Sequence, residues 1–251
     1  MELSFTEDEI QRYSRHILLR ELGGIGQAKL RAGRVLIIGA GGLGSPLALY
    51  LAAAGVGTLG LVDDDVVELS NLQRQVLHST ARLGQPKVAS AAHMLSALNP
   101  LVTVQCHQTR LTAQNVQALI AGYDIIADGS DNFATRHLVA DACVAAKKIL
   151  VSAAVLRFEG QLATFKPHSG GPCYRCLVPE PPPDDDTPTC AQAGVLGAVT
   201  GVMGTLQATE VLKELAGIGQ SLAGHLLLWN ALDMQFRKVK LPKDPACPVC
   251  G

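Results

Sequence analysis

The sequence predicts an α/β fold, a doubly wound, mostly parallel sheet with helices on both faces that closes with antiparallel C-terminal strands. Three observations predict it. From Val35 onward, short apolar runs alternate with segments of helical period, the pattern of βαβ units. The first run, Val35-Leu36-Ile37-Ile38, ends in Gly39-Ala40-Gly41-Gly42-Leu43-Gly44. A Gly-x-Gly-x-x-Gly turn there permits a tight bend, a close approach of backbone to phosphate, and close packing of the next helix. Finally, 251 residues with 48% hydrophobic and 17% charged side chains can build one large α/β core.

Taken in order, Thr6 with Glu9 forms a capping-box pattern, and Ile10, Tyr13, Ile17 and Leu18 follow at helical spacing. Leu22-Gly23-Gly24 breaks that helix, and a shorter helical piece leads to Gly33. A strand at 35–38, a helix at 43–54 and a strand at 58–62 make the first βαβ unit. Helices are expected at 86–98, 112–121 and 132–146, and strands at 102–106, 124–127 and 149–154. A strand at 161–165 is expected to return antiparallel. Together with the glycine turn, this makes the sheet Rossmann-like.

The composition then shifts. The stretch 179–188, with three prolines and three aspartates in series, is a loop that cannot continue a helix or a central strand. A helix rich in small residues is expected at 193–216, with Gly194, Gly197, Gly201 and Gly204 suited to close packing in a core or dimer interface. Its polar residues argue against a membrane span. Strands at 226–229 and 234–239 lead to a cysteine-bearing tail. We read 1–251 as a single domain: N-terminal helices over 1–33, a nucleotide-binding core over 34–170, and a crossover loop, small-residue helix, final strands and metal tail over 171–251.

A formal net charge of -1 gives no electrostatic reason for a nucleic-acid or membrane partner. The N-terminus lacks the basic start and apolar core of a signal peptide. Seven cysteines without a secretory signal point to a reducing compartment, and a cytoplasmic location is expected. Two C-x-x-C knuckles, Cys173/Cys176 and Cys247/Cys250, are separated by 70 residues. Four thiolates in two such pairs match a closed, tetrahedral four-cysteine Zn2+ site that would staple the C-terminus. The alternative is two unrelated pairs, one of them redox-active. Cys106 and Cys143 lie in apolar surroundings and are expected in the core.

Asp63 follows the second strand, 24 residues after Gly39, where an acidic side chain hydrogen-bonds ribose in dinucleotide folds. NAD would fit to this point. The residues that follow, Ser70-Asn71-Leu72-Gln73-Arg74-Gln75, Lys87 and Asp131-Asn132, suit a triphosphate and Mg2+ better.

Here the chain resembles a family. Gly-x-Gly-Gly-Leu-Gly at 39–44, Ser-Asn-Leu-Gln-Arg-Gln at 70–75, Gly-Gln-Pro-Lys at 84–87, Cys-Tyr-Arg-Cys and the closing Cys-Pro-Val-Cys resemble the MoeB/ThiF (HesA/MoeB/ThiF) adenylyltransferases. These are bacterial relatives of ubiquitin-activating enzymes. One departure is Asp128-Gly129-Ser130 before Asp131-Asn132, where members often carry Cys-Thr. The resemblance implies that ATP and the C-terminal Gly-Gly carboxylate of a ubiquitin-like sulfur carrier protein give an acyl-adenylate and pyrophosphate, for later thiocarboxylate formation. It implies that Asp63 holds ribose, Asn71 and Arg74 hold ribose and phosphates, Lys87 meets the phosphates and Asp131 binds Mg2+. Gly39, Gly41, Gly42, Gly44, Ser70 and Asn132 complete the nucleotide contacts it implies. Arg15 would reach the neighbouring protomer's ATP, making a homodimer part of the catalyst.

Cys190 matches the family's crossover-loop cysteine, and it would capture the activated carrier or relay persulfide sulfur, or be a bystander. A cysteine desulfurase or a rhodanese is the expected kind of sulfur donor. The stretch 153–161 is more like the molybdopterin-synthase branch than the thiamine branch, so a molybdopterin-type carrier is favoured over a thiamine-type one. Two other classes fit part of the pattern: an NAD(P)-dependent oxidoreductase, which needs neither Lys87 nor a zinc tail, and a non-catalytic nucleotide-binding zinc scaffold, which need not keep the cations.

Overall fold

The computed structural model describes residues 4–181 and 193–251. The acidic, proline-rich stretch and Cys190 lie outside them. One eight-stranded sheet runs β3-β2-β1-β4-β5-β6-β7-β8. Strands β1 (Arg34–Ile38), β2 (Thr58–Val62), β3 (Thr103–His107), β4 (Ile125–Asp128) and β5 (Ile149–Leu156) are mutually parallel. Strands β6 (Glu159–Phe165), β7 (His225–Asn230) and β8 (Gln235–Lys240) extend the sheet antiparallel, as the sequence implies.

Helices α1 (Glu7–Ile17) and α2 (Gly23–Ala32) precede β1. The Thr6–Glu9 capping box forms, each side chain bonding the other's backbone N–H. Helices α3 (Gly44–Ala53), α4 (Lys87–Leu98), α5 (Val116–Ala121) and α6 (Phe133–Ala145) make the crossovers. A one-turn helix α7 (Tyr174–Leu177) and the long α8 (Gly197–Ala216) complete the set.

Strand β1 explains the unbroken apolar run: its alternate residues serve opposite faces, both covered. Val35 and Ile37 enter one core with Leu47 and Leu51 of α3, Leu95 of α4 and Met203 of α8. Leu36 and Ile38 enter the other, with Ile120 of α5 and Val139 of α6. Gly204 explains part of the small-residue pattern of α8, since a Cβ there would lie 2.4 Å from the Leu43 carbonyl oxygen and 2.5 Å from Pro46. Among the described residues no helix is long and apolar enough to cross a membrane.

Several boundaries differ from the sequence reading for local reasons. Helix α8 starts at Gly197, not 193, because Gly194 has φ +79 and Val195 bridges Arg157. Strand β8 starts after Met234, whose φ of 52 belongs to the turn. Helix α5 starts at Val116, since Asn115 instead accepts the Thr112 N–H at 2.8 Å. Cys143 is buried as expected, but Cys106 is not in the core. It sits exposed on β3, the edge strand, where apolar neighbours in sequence do not guarantee a second covering layer.

Candidate active site and metal centre

The strand order reverses direction between β1 and β4, the position where open α/β sheets bind ligands beyond their carboxyl ends. A cleft of about 900 Å³ opens there. The turn after β1 supplies Gly39, Gly41 and Gly42 to its wall. Gly44 serves packing instead. Its Cβ would sit 1.9 Å from the Gly39 carbonyl oxygen, so it closes the turn against α3 and does not line the cleft.

Asp63, at the end of β2, accepts the Ala40 N–H at 2.8 Å on one carboxylate oxygen and the Asp65 N–H at 2.9 Å on the other. Those bonds orient the carboxylate and leave lone pairs for donors in the cleft. Burial pushes its pKa up, against the opposing pull of Lys87 and the two amides. Asp63, Asp64 and Asp65 place carboxylate oxygens within 4.8 Å of one another. Lys87 opens α4 and is buried, and its Nζ donates to Asp65 at 2.7 Å. The short 3-10 turn Leu69–Asn71 carries Asn71 into the cleft wall, with Arg74 beside it donating to the Ser70 carbonyl at 3.1 Å. The loop after β4 brings Asp131 and Asn132 to the same cleft.

The fold thus converges Gly39, Gly41, Gly42, Asp63, Asn71, Arg74, Lys87, Asp131 and Asn132 on one cleft. Two expected contacts stand elsewhere. Gly44 packs the turn. Ser70 turns toward Glu68, donating at 3.2 Å, and does not line the cleft. Arg15 is exposed on α1, away from its own chain's cleft. Asn132 also caps α6, accepting the Thr135 N–H at 2.8 Å, so its side-chain oxygen already has a structural partner.

Four supporting residues escaped the sequence reading. Asp65 is the Lys87 counter-ion, and its place in the Asp63-Asp64-Asp65 run was the available signal. His78 bonds the Ala40 carbonyl at 2.9 Å and Ser90 at 3.0 Å, bracing the glycine turn, and burial lowers its pKa. Gln207 of α8 donates at 2.9 Å to both the Asp128 and Val151 carbonyls, tying α8 to the β4 and β5 ends. Arg136 is a buried cation behind the loop after β4. None of the last three carries a spacing signature.

The four knuckle cysteines cluster with their sulfurs within 4.8 Å of one another. Cys173 and Cys247 are 3.6 Å apart, as are Cys176 and Cys250. A disulfide would need about 2.05 Å, whereas a tetrahedron of Zn–S bonds of about 2.3 Å puts sulfurs about 3.8 Å apart. The donor set therefore fits zinc. Burial pushes the Cys173 thiol up. At Cys247 a burial penalty is outweighed by the Val249 and Cys250 amides, lowering it to about 7.

A glycine turn, an amide-held carboxylate and clustered cations meet at the sheet's switch point, where open α/β folds bind their ligands. The chain belongs to the ThiF family, whose profile matches residues 13–249. It is 55% identical to the adenylyltransferase and sulfurtransferase MOCS3 of Bos taurus over 99% of this chain and 54% of that protein. It therefore spans about half the length of that relative. It is 49% identical to the sulfur carrier protein adenylyltransferase of Thermus thermophilus over 99% of this chain and 93% of that one. Among solved structures, Escherichia coli MccB with ATP superposes at a TM-score of 0.85 and 23% identity, covering 96% of this chain and 74% of that one. That likeness shows the shared fold.

Proposed function

We propose that the chain is an ATP-dependent adenylyltransferase that activates the C-terminal Gly-Gly carboxylate of a ubiquitin-like sulfur carrier protein. The observation that carries the reading is the convergence of Asp63, Asn71, Arg74, Lys87 and Asp131 with the glycine turn on one cleft, which continues past them along Ala154, Leu156, Leu162 and Leu226. The polar arm suits a nucleotide, and the apolar arm suits an extended peptide tail. The activities for which the relatives are named point the same way.

The chemistry follows from charge. A carboxylate is ionised at neutral pH and needs no general base. Its oxygen attacks the α-phosphorus while the bond to the bridging oxygen of pyrophosphate breaks, and the electron pair leaves with pyrophosphate. The cost lies in bringing one anion to a polyanion and in the charge that develops on the leaving group. Arg74 and Lys87 answer both, because fixed cations stabilise charge where it grows. Asp131 would hold Mg2+, which supplies further neutralisation of the phosphates. Asp65 keeps the buried Lys87 ammonium paired until phosphate arrives. The cysteine cluster would hold Zn2+, as its sulfur spacing favours.

Arg15 is proposed to act in a homodimer, on the neighbouring protomer's nucleotide. Leu18 and Leu19 just after α1 and Ile25 on α2 are 73%, 52% and 63% exposed, which suits burial against a second copy. Cys190 is proposed as the thiol that engages the activated carrier or relays sulfur from a desulfurase or rhodanese. A molybdopterin-type carrier is favoured, with the thiamine-type carrier as the second reading.

Carrier-dependent exchange of labelled pyrophosphate into ATP tests the function. Exchange is expected with a Gly-Gly-ending carrier, fastest with the molybdopterin type. No exchange with any such carrier sinks the proposal. Mixing Arg15→Ala with Lys87→Ala protein is expected to restore exchange that neither shows alone; no recovery on mixing refutes action across the dimer.

A further inference from the structure

The glycine turn contains a peptide that glycine leaves free to flip, and one buried side chain holds it. Ala40 is gripped at both of its polar groups. Its N–H donates to Asp63 at 2.8 Å, and its carbonyl oxygen meets His78 Nε2 at 2.9 Å. Gly39, just before it, is tied through its N–H to the Val62 carbonyl at 2.9 Å. Gly41, just after it, lines the cleft, and its N–H has no partner among the described residues.

A planar trans peptide sets its C=O and its N–H on opposite sides. The Ala40 carbonyl is turned inward to the buried His78, so the Gly41 N–H of the same peptide is turned away from it, on the side of the cleft. Sterics alone do not preserve that choice. Rotating the peptide by half a turn changes ψ of Ala40 and φ of Gly41, and glycine accepts φ of either sign. After such a flip a carbonyl oxygen would meet the phosphate in place of an N–H. The bond to His78 opposes the flip, because Ala40 is 1% exposed and its carbonyl would lose its partner.

His78 is fixed in turn. Its Nδ1 lies 3.0 Å from Oγ of the buried Ser90. A carbonyl oxygen can only accept, so Nε2 carries the proton. Burial lowers the imidazole pKa, so at neutral pH Nδ1 is bare and the Ser90 hydroxyl donates to it. Ser90 stands one turn along α4 from Lys87. The brace therefore joins the glycine turn to the helix that carries the buried cation of the cleft.

We propose that His78, as its Nε2–H tautomer, is a positioning residue that locks the Ala40–Gly41 peptide with the Gly41 N–H facing the cleft, as a donor to a phosphate of the bound nucleotide. His78 acts through Ala40 and touches no substrate. The proposal rests on the nucleotide reading of the cleft and is independent of which carboxylate is adenylated.

Two substitutions in the full chain separate the two ring nitrogens. A glutamine amide nitrogen is as many bonds from Cα as His Nε2, whereas an asparagine amide matches Nδ1. His78→Gln therefore keeps a donor for the Ala40 carbonyl, and His78→Asn reaches only Ser90. Affinities for ATP with Mg2+ and for adenosine are titrated near neutral pH. ATP affinity is expected to fall roughly tenfold in His78→Asn, about the worth of one lost hydrogen bond, and to recover to within about threefold of wild type in His78→Gln. Adenosine, which has no phosphate, should bind all three alike. Unchanged ATP affinity in His78→Asn, an equal loss in both variants, or a parallel loss for adenosine overturns the proposal.

The wild type supplies a second test that does not depend on a variant folding. Nitrogen NMR is expected to show His78 as the Nε2–H tautomer, and the Gly41 amide is expected to shift with ATP and Mg2+ but not with adenosine. The opposite tautomer, or a Gly41 amide that does not respond to ATP, overturns the proposal. Failure of the adenylation reading shows separately, as absent carrier-dependent pyrophosphate exchange in wild-type protein that still binds ATP.

Discussion

Gly41 and Gly44 belong to one turn, yet alanine at each should fail in opposite ways. A Cβ at Gly44 would meet the Gly39 carbonyl oxygen at 1.9 Å and its carbonyl carbon at 2.9 Å, against roughly 3.5 Å or more for an ordinary contact. Gly39 cannot yield, since its N–H is held by the Val62 carbonyl at 2.9 Å and its φ is +88. The overlap must be relieved by prying α3 from β1, through a core that includes the fully buried Leu47 and Leu51. Overpacking of that kind costs about 3 kcal/mol or more. For a chain of this size, that lowers Tm by about 6–12 °C. At Gly41 the nearest atom to a new Cβ is Gln75 Nε2, at an ordinary 3.6 Å, and φ is not positive. Gly41→Ala should hold stability within about 1 kcal/mol. Its methyl instead enters the cleft wall where phosphate approaches backbone, and affinity for ATP should fall about 10- to 100-fold, the loss of one amide–phosphate bond. Calorimetric melting and ATP titration of the two variants form the assay. Equal loss of Tm in both, or wild-type ATP affinity in Gly41→Ala, refutes the division of labour within the turn.

Other expectations are shorter. Cys173→Ser should lose about one zinc ion per chain by elemental analysis, and an unchanged metal content defeats the four-cysteine assignment. Burial holds the His78 pKa below 6.5, so the unfolded chain takes up that proton first as pH falls. The corresponding stability is complete above pH 6.5 and is lost as pH drops toward the folded pKa. The urea midpoint should therefore fall between pH 8 and pH 5.5, and fall less in His78→Gln; an identical drop in both chains contradicts the role of His78. Cys190→Ala should leave pyrophosphate exchange intact while impairing sulfur transfer to the carrier. Collapse of exchange in that variant places the thiol in the adenylation step instead.

Local chemistry makes most of the site legible in the chain itself. Gly39, Gly41, Asp63, Lys87 and the four cysteines each sit in a short pattern whose chemistry is set by residues a few positions away. Arg136, His78 and Gln207 were illegible for the opposite reason. Each is a polar side chain in an otherwise ordinary helix or loop, and its meaning comes from a carbonyl 6 to 79 positions distant in sequence. Cys106 shows the same limit in reverse. Its neighbours are apolar, but β3 ends the sheet and no strand lies beyond it among the described residues.

The sequence by itself determined the parallel α/β sheet, the glycine turn, the two thiol pairs and the family, because periodicity and short-range spacing specify strands, turns and ligand pairs directly. Only the tertiary structure decided that Asp65 is the partner of Lys87, that His78 braces the glycine turn through the Ala40 carbonyl, and that Arg175 ties the cysteine knuckle to Asp141 of α6. Those facts depend on which element lies across the sheet from which, and burial and hydrogen bonding between distant segments leave no periodic trace in the chain.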